Sequence, residues 1–94
     1  MSQNTPAVNR TPASRRQILE EVTRIVVPFA SLPAEEIREA HDLINDLGCD
    51  SLDITEISME VEEQFDVTVP DQQAQNIRTV GDIVDGVLQL LQAR

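Results

Sequence analysis

The sequence predicts an all-α fold, a small four-helix bundle of three longer helices and one short helix, with a long first loop. Three observations carry this expectation. Apolar residues recur at helical spacing in three separate stretches, each opened by a residue suited to cap a helix. No stretch alternates like a strand and also has a second strand to pair with. Phe29 and Phe65 are the only aromatics, so the core must be built from Ile, Leu and Val, as suits a small helical bundle.

Residues 1–13 are polar, carry two Thr-Pro steps and offer little to bury, so they read as a flexible N-terminal tail, with a regulatory arm as the alternative. The helical domain is expected over 14–94. Ser14 with Gln17 forms a capping-box pattern, and Ile18, Val22, Ile25, Val26 and Phe29 then follow the helical period. This predicts a helix over about 14–27, ended by Pro28 because the residue before a proline is pushed out of the α region. Arg15 and Arg16 fall at the positive end of that helix and read as a solvated start, or as a small basic spot for a partner.

Residues 30–50 make a connection longer than most loops in compact domains. One helical turn is expected at Pro33-Ala34-Glu35-Glu36, and Leu43, Ile44 and Leu47 are expected to anchor the loop on the bundle. A second helix should run from the Asp50-Ser51 pair to about Gln64, with Ile54, Ile57, Val61 and Phe65 inward. Its outer face carries Glu56, Glu60, Glu62 and Glu63 around Met59. Val67-Thr68-Val69-Pro70 lacks a partner strand and reads as an extended linker. Asp71 is expected to cap a short helix to Asn76, and Thr79 with Asp82 to start a last helix. Val80, Ile83, Val84, Val87, Leu88 and Leu91 supply the buried stripe of that last helix.

Charge narrows the partners. Seventeen acids face seven bases, all arginine, for a net charge of −10. Such a chain repels phosphate backbones and anionic membranes, and favours partners with basic patches. With almost no aromatic residues for stacking, nucleic-acid binding is not expected. Neither is membrane insertion, since no apolar run approaches the ~18 residues a spanning helix needs. One cysteine, Cys49, excludes an internal disulfide and is ordinary for a reducing compartment, so a cytoplasmic monomer is expected. Cys49 itself reads as a packing or surface residue, although an exposed thiol there could form mixed disulfides.

The stretch with chemical content is Asp46-Leu47-Gly48-Cys49-Asp50-Ser51-Leu52-Asp53. Catalysis by Ser51 would need a base and an orienting group, and His41 is the only histidine; no Gly-x-Ser-x-Gly elbow surrounds the serine. No catalytic residue is assigned, and the chain is not expected to be an enzyme. His41 reads as a loop residue. The spacing of Asp42, Asp46, Asp50 and Asp53 does not fit a calcium loop, so no metal site is expected. What remains is an acceptor hydroxyl at a helix N-terminus, where an added phosphate meets free N–H groups and the positive dipole end. Gly48 would keep the approach to it uncluttered. Phosphorylation by a kinase would use the same physics.

This octet resembles the modification-site motif of the acyl carrier protein family. The resemblance extends over about residues 18–91, through Glu62-Glu63-Gln64-Phe65-Asp66, Val69-Pro70-Asp71 and Ile77-Arg78-Thr79-Val80-Gly81-Asp82. It implies a non-enzymatic carrier that bears 4′-phosphopantetheine, derived from coenzyme A, on Ser51. Such a carrier hands thioester-bound acyl intermediates between enzymes of fatty-acid or polyketide synthesis. By position, Asp50, Asp53, Glu56, Met59, Glu62 and Glu63 match the family's docking residues, and Ile54, Ile57, Val61 and Ile77 are candidate acyl-pocket residues. The implied partners are a phosphopantetheinyl transferase and acyl-transferring and synthase enzymes with basic docking patches. Thr55, Ser58 and Glu60 stand where housekeeping members carry apolar or small residues, which suggests a specialised pathway. The alternatives are an aminoacyl or peptidyl carrier of non-ribosomal synthesis, and an acidic interaction subunit without carrier turnover.

Overall fold

A computed structural model describes residues 14–93; the predicted tail lies outside them. The described residues form four α-helices: α1 (Arg15–Val26), α2 (Ser51–Phe65), α3 (Asp71–Gln75) and α4 (Val80–Gln92). Two 3₁₀ turns, Val27–Phe29 and Ala34–Glu36, lie between α1 and α2. Among the described residues the only β feature is an isolated bridge between Asp42 and Thr79. The expected bundle with its long first loop is therefore present.

α1 starts with the predicted capping box: the Ser14 hydroxyl accepts from the Gln17 N–H at 3.2 Å and the Gln17 amide oxygen accepts from the Ser14 N–H at 3.0 Å. Its end differs from expectation. Val27 stays helical at φ −49°, ψ −45°, directly before Pro28, and the chain becomes extended only at Ala30. The proline stands in the first turn of a 3₁₀ segment, where its missing N–H costs little. Its bias on the preceding residue is overridden by the packing of Val26 and Phe29 on the core.

The solvated start expected for Arg15 is also corrected. Its guanidinium pairs with Glu39 of the long loop and, at 2.7 Å, with Asp85 of α4. Arg15 thus clips three segments together instead of standing free at the helix start. Arg16 is largely exposed, with Glu20 at 3.9 Å.

α1 packs chiefly on α4 and secondarily on α2, while α3 touches the longer helices sparsely. The core gathers Ile18, Val22 and Val26 of α1, Ile57 and Val61 of α2, and Val80, Ile83, Val84 and Val87 of α4. Ile37, Leu43, Leu47 and Cys49 complete it from the long loop. Ile25, Phe29, Ile54, Phe65, Leu88 and Leu91 are only partly buried. Of the three expected loop anchors, Leu43 and Leu47 are fully buried, but Ile44 is 51% exposed. The loop makes a helical turn over 42–47, which sends Ile44 outward while Leu43 and Leu47 face in.

The loop is fastened to the start of α4. The Leu43 N–H donates to the Arg78 carbonyl at 2.8 Å, the Val80 N–H to that of His41 at 3.2 Å, and the Gly81 N–H to that of Glu39 at 2.9 Å. A Cβ on Gly81 would stand 3.2 Å from that Glu39 oxygen, so this glycine permits the close approach. His41 serves the loop as expected: its Nδ1 accepts from the Arg38 N–H at 2.9 Å.

After Phe65, Asp66 takes the left-handed conformation, φ 55°, and ends α2. The extended linker beyond it is held by the Glu62 carboxylate, which accepts from the Val69 N–H at 2.8 Å. α3 begins from Pro70 at the N-cap, with Asp71 as its first helical residue and no side-chain capping bond, so Asp71 is not the cap. Asp71 instead favours the helix by its charge near the positive end.

Candidate functional site at the start of α2

The octet that contains Ser51 is held by backbone and carboxylate contacts on both sides. Before it, Asp42 caps the loop's helical turn, with one oxygen accepting from Ile44 and Asn45 at 3.0 and 2.9 Å. The Asp46 carboxylate accepts from the Asp42 N–H at 2.7 Å. Gly48 closes the turn at φ +79°, a conformation that penalises residues with a Cβ. A Cβ there would meet only Ser31, at an ordinary 3.9 Å. The glycine is therefore required for the left-handed backbone, and not to clear a path to Ser51 as the sequence suggested.

Cys49 is buried, with its thiol 3.5 Å from the Phe29 carbonyl, and its role is packing. Burial pushes the thiol pKa up, aided by the nearby charges of Asp53 and Asp50. A buried, protonated thiol is a poor nucleophile, so the mixed disulfides conceivable for an exposed Cys49 are not favoured.

Asp50 and Asp53 form a second capping box. The Asp50 carboxylate accepts from the Asp53 N–H at 2.8 Å, and that of Asp53 accepts from the Asp50 N–H at 3.0 Å. The cap that could have been either Asp50 or Ser51 is thus Asp50. Ser51 becomes the first helical residue, exposed and without a side-chain hydrogen bond among the described residues. Its own N–H and that of Leu52 also lack protein partners there, as expected of a helix's first turn. An anion on the Ser51 hydroxyl would meet those donors and the positive dipole end, opposed by the two flanking carboxylates. The aspartates of this region cap backbone N–H groups, and no cluster able to hold a metal ion occurs among the described residues.

Leu52, which the sequence reading did not single out, is 72% exposed beside Ser51. With Met59 and Ile44 it gives the surface three large exposed apolar residues. The same stretch carries acids: Asp50, Glu56 and Glu63 are exposed, and Asp53 and Glu62 partly so. The Glu62 carboxylate also braces the linker at Val69, as those of Asp50 and Asp53 hold the cap.

An open groove of about 620 Å³ starts at Ser51 and runs between α2 and α3, along Ile54, Thr55, Ser58 and Met59 and against Ala74 and Ile77. Arg78 also lines it and has no ion-pair partner among the described residues, a position the sequence reading passed over. Deeper lies a small cavity of about 20 Å³ lined by Ile57, Val61, Val69, Ile77, Ile83, Val87 and Leu90. Of the four candidate pocket residues, Ile57, Val61 and Ile77 reach this cavity, whereas Ile54 lines only the outer groove. The signal for Ile54 was its helical spacing, which does not distinguish the inner wall from its rim.

Comparison with known proteins agrees with this architecture. Residues 16–87 match the family model described as the phosphopantetheine attachment site. The acyl carrier protein of Wolinella succinogenes is 40% identical over 67 residues, covering 71% of this chain and 88% of that protein. A solved structure of the acyl carrier protein from Enterococcus faecalis superposes with a TM-score of 0.71 at 27% identity, covering 83% of this chain and 99% of the other. The fold and site thus define a phosphopantetheine-dependent carrier domain, and the chain belongs to the acyl carrier protein family. Its cofactor is 4′-phosphopantetheine, and the family consists of carriers, not enzymes. Carriers of this kind work with synthases and transferases. No helix among the described residues is long and apolar enough to cross a membrane.

Proposed function

We propose that the chain carries acyl intermediates as thioesters on a 4′-phosphopantetheine arm esterified to Ser51, and delivers them to enzymes of fatty-acid or polyketide synthesis. The observation that carries this reading is the division of labour at the start of α2. Asp50 takes the cap, so the Ser51 hydroxyl is exposed and unused. Ser51 and Leu52 offer N–H donors to a phosphate there, and the groove leading away gives a tethered chain a path toward apolar walls. The residues present fit the arm. When attached, it supplies a terminal thiol for thioester formation.

Nothing beside Ser51 would activate its hydroxyl, so base and metal belong to the modifying transferase. The acidic face holds the partner side of the function. Asp50, Asp53, Glu56 and Glu63 share α2 and its cap with exposed Leu52 and Met59, charges beside adaptable apolar residues. Glu62 adds charge to that helix while bracing Val69. A partner with clustered Arg or Lys complements this surface, with association that weakens as salt rises. The unusual Thr55, Ser58 and Glu60 support a dedicated pathway. The protein functions as a cytoplasmic monomer whose carrier domain spans 14–94.

Intact-mass measurement after incubation with coenzyme A and a phosphopantetheinyl transferase tests the reading. One phosphopantetheine should be added to the wild type and none to Ser51→Ala. An unmodified wild type, or a modified Ser51→Ala, would refute it. Acyl loading of the modified protein then separates a working carrier from an acidic docking subunit.

A further inference from the structure

Ser58 stands where the open groove meets the inner cavity and lines both. Its hydroxyl oxygen is buried and has no hydrogen-bond partner among the described residues. Thr55, nearly one turn earlier, shows the ordinary solution: its hydroxyl donates to the Ser51 carbonyl at 3.1 Å. Ser58 makes no such bond, and leaving a buried hydroxyl unpaired is costly. Its surroundings offer little relief. The cavity walls are mostly aliphatic; Gln73 and Asp82 also line them, one Asp82 oxygen accepting from the N–H groups of Arg78 and Thr79, both at 3.0 Å, yet neither side chain bonds Ser58.

Position adds to this. Ser58 follows Ser51 by seven residues on the same groove-lining face of α2, two turns or about 10 Å along the axis. A chain tethered at Ser51 and entering the cavity from the groove passes Ser58 at the threshold. Beyond it such a chain would face Ile83 and Val87, where the cavity of about 20 Å³ must widen to admit it.

We propose that Ser58 determines acyl specificity: its hydroxyl hydrogen-bonds the β-oxygen of the acyl chain, so the carrier shelters β-oxygenated acyl chains in preference to saturated ones. This deepens the carrier reading and rests on it. The match is one of chemistry. A β-hydroxyl or β-carbonyl oxygen satisfies the orphan group, whereas a methylene leaves it unpaired.

The test uses full-length protein carrying the arm on Ser51, confirmed by mass, and loaded with hexanoyl or β-hydroxyhexanoyl groups. Thioester cleavage by hydroxylamine, normalised to the same acyl-pantetheine free in solution, measures shelter. The wild type should protect the hydroxylated chain over hexanoyl by roughly fivefold, the worth of about one net hydrogen bond. Ser58→Ala should erase that preference while sheltering hexanoyl at least as well. An equal preference in both proteins would overturn the proposal, as would protection of neither chain in the wild type. Failure of the arm to attach at Ser51 would instead overturn the carrier reading, before any acyl chain is compared. An independent check needs no arm: Ser58→Ala should melt no lower than wild type, because it removes an unpaired group. A lower melting temperature would mean the hydroxyl is already satisfied, contradicting the proposal.

Discussion

Helices α2 and α4 begin with the same device and put it to opposite uses. Each has a capping box, Asp50 with Asp53 in one and Thr79 with Asp82 in the other. At α4 the next two residues, Val80 and Gly81, are buried, and their N–H groups donate to His41 and Glu39 carbonyls of the long loop. At α2 the corresponding residues, Ser51 and Leu52, are exposed, with N–H groups free for a ligand. A cap alone therefore does not make an anion site. What decides is whether another segment covers the first turn. In this fold one loop does both tasks: it seals α4 and, through Gly48, turns away to leave α2 open.

The comparison is broken most severely by releasing the loop. Leu43 is fully buried and its N–H is bound to Arg78. Leu43→Ala should cost about 2–5 kcal/mol, read as a lower urea midpoint, with faster amide exchange at Val80 and Gly81. A loss below that range would show that the loop does not depend on this anchor.

A matched pair sharpens the contrast at the second helical position. Gly81→Ala brings a Cβ to 3.2 Å from the Glu39 carbonyl and should destabilise by roughly 1–3 kcal/mol. Leu52→Ala should change stability by no more than about 0.5 kcal/mol, yet weaken binding to a carrier-specific enzyme. Thermal melts of both variants, with binding measured for the second, test the difference. Equal destabilisation would contradict the assignment of one helix start as sealed and the other as open.

The caps give a further contrast. Thr79→Ala and Asp50→Ala should each cost about 1 kcal/mol in denaturant titrations. Only the second should slow modification, because Ser51 then competes as the replacement cap and its hydroxyl is drawn toward the backbone. Identical modification rates in the two variants would remove the claim that Asp50 keeps Ser51 available.

Much of this was legible because it is local. The Ser14–Gln17 and Thr79–Asp82 boxes are pairs three residues apart, and helical spacing brought out Ile57, Val61 and the α4 stripe. The Asp50-Ser51 ambiguity needed backbone geometry, since either side chain can cap. Contacts distant in sequence could not be read: Arg15 meets partners 24 and 70 residues away. Nor could periodicity foresee that Val27 stays helical before Pro28, or that Glu62 turns one oxygen to Val69. At the site, the octet's resemblance pointed to Ser51, but exposed Leu52 and Ile44, groove-lining Arg78 and the buried Ser58 hydroxyl became visible only once α2, α3 and the loop were assembled.

The central claim is that the open start of α2 makes Ser51 the tethering point. Fragmentation mass spectrometry of the protein purified from its source tests this most directly, because it locates any adduct and reads the group it bears. A phosphopantetheine arm on Ser51, with or without an acyl group, is the predicted result. An arm on Thr55, Ser58 or any other hydroxyl, or a simple phosphate on Ser51, would contradict it.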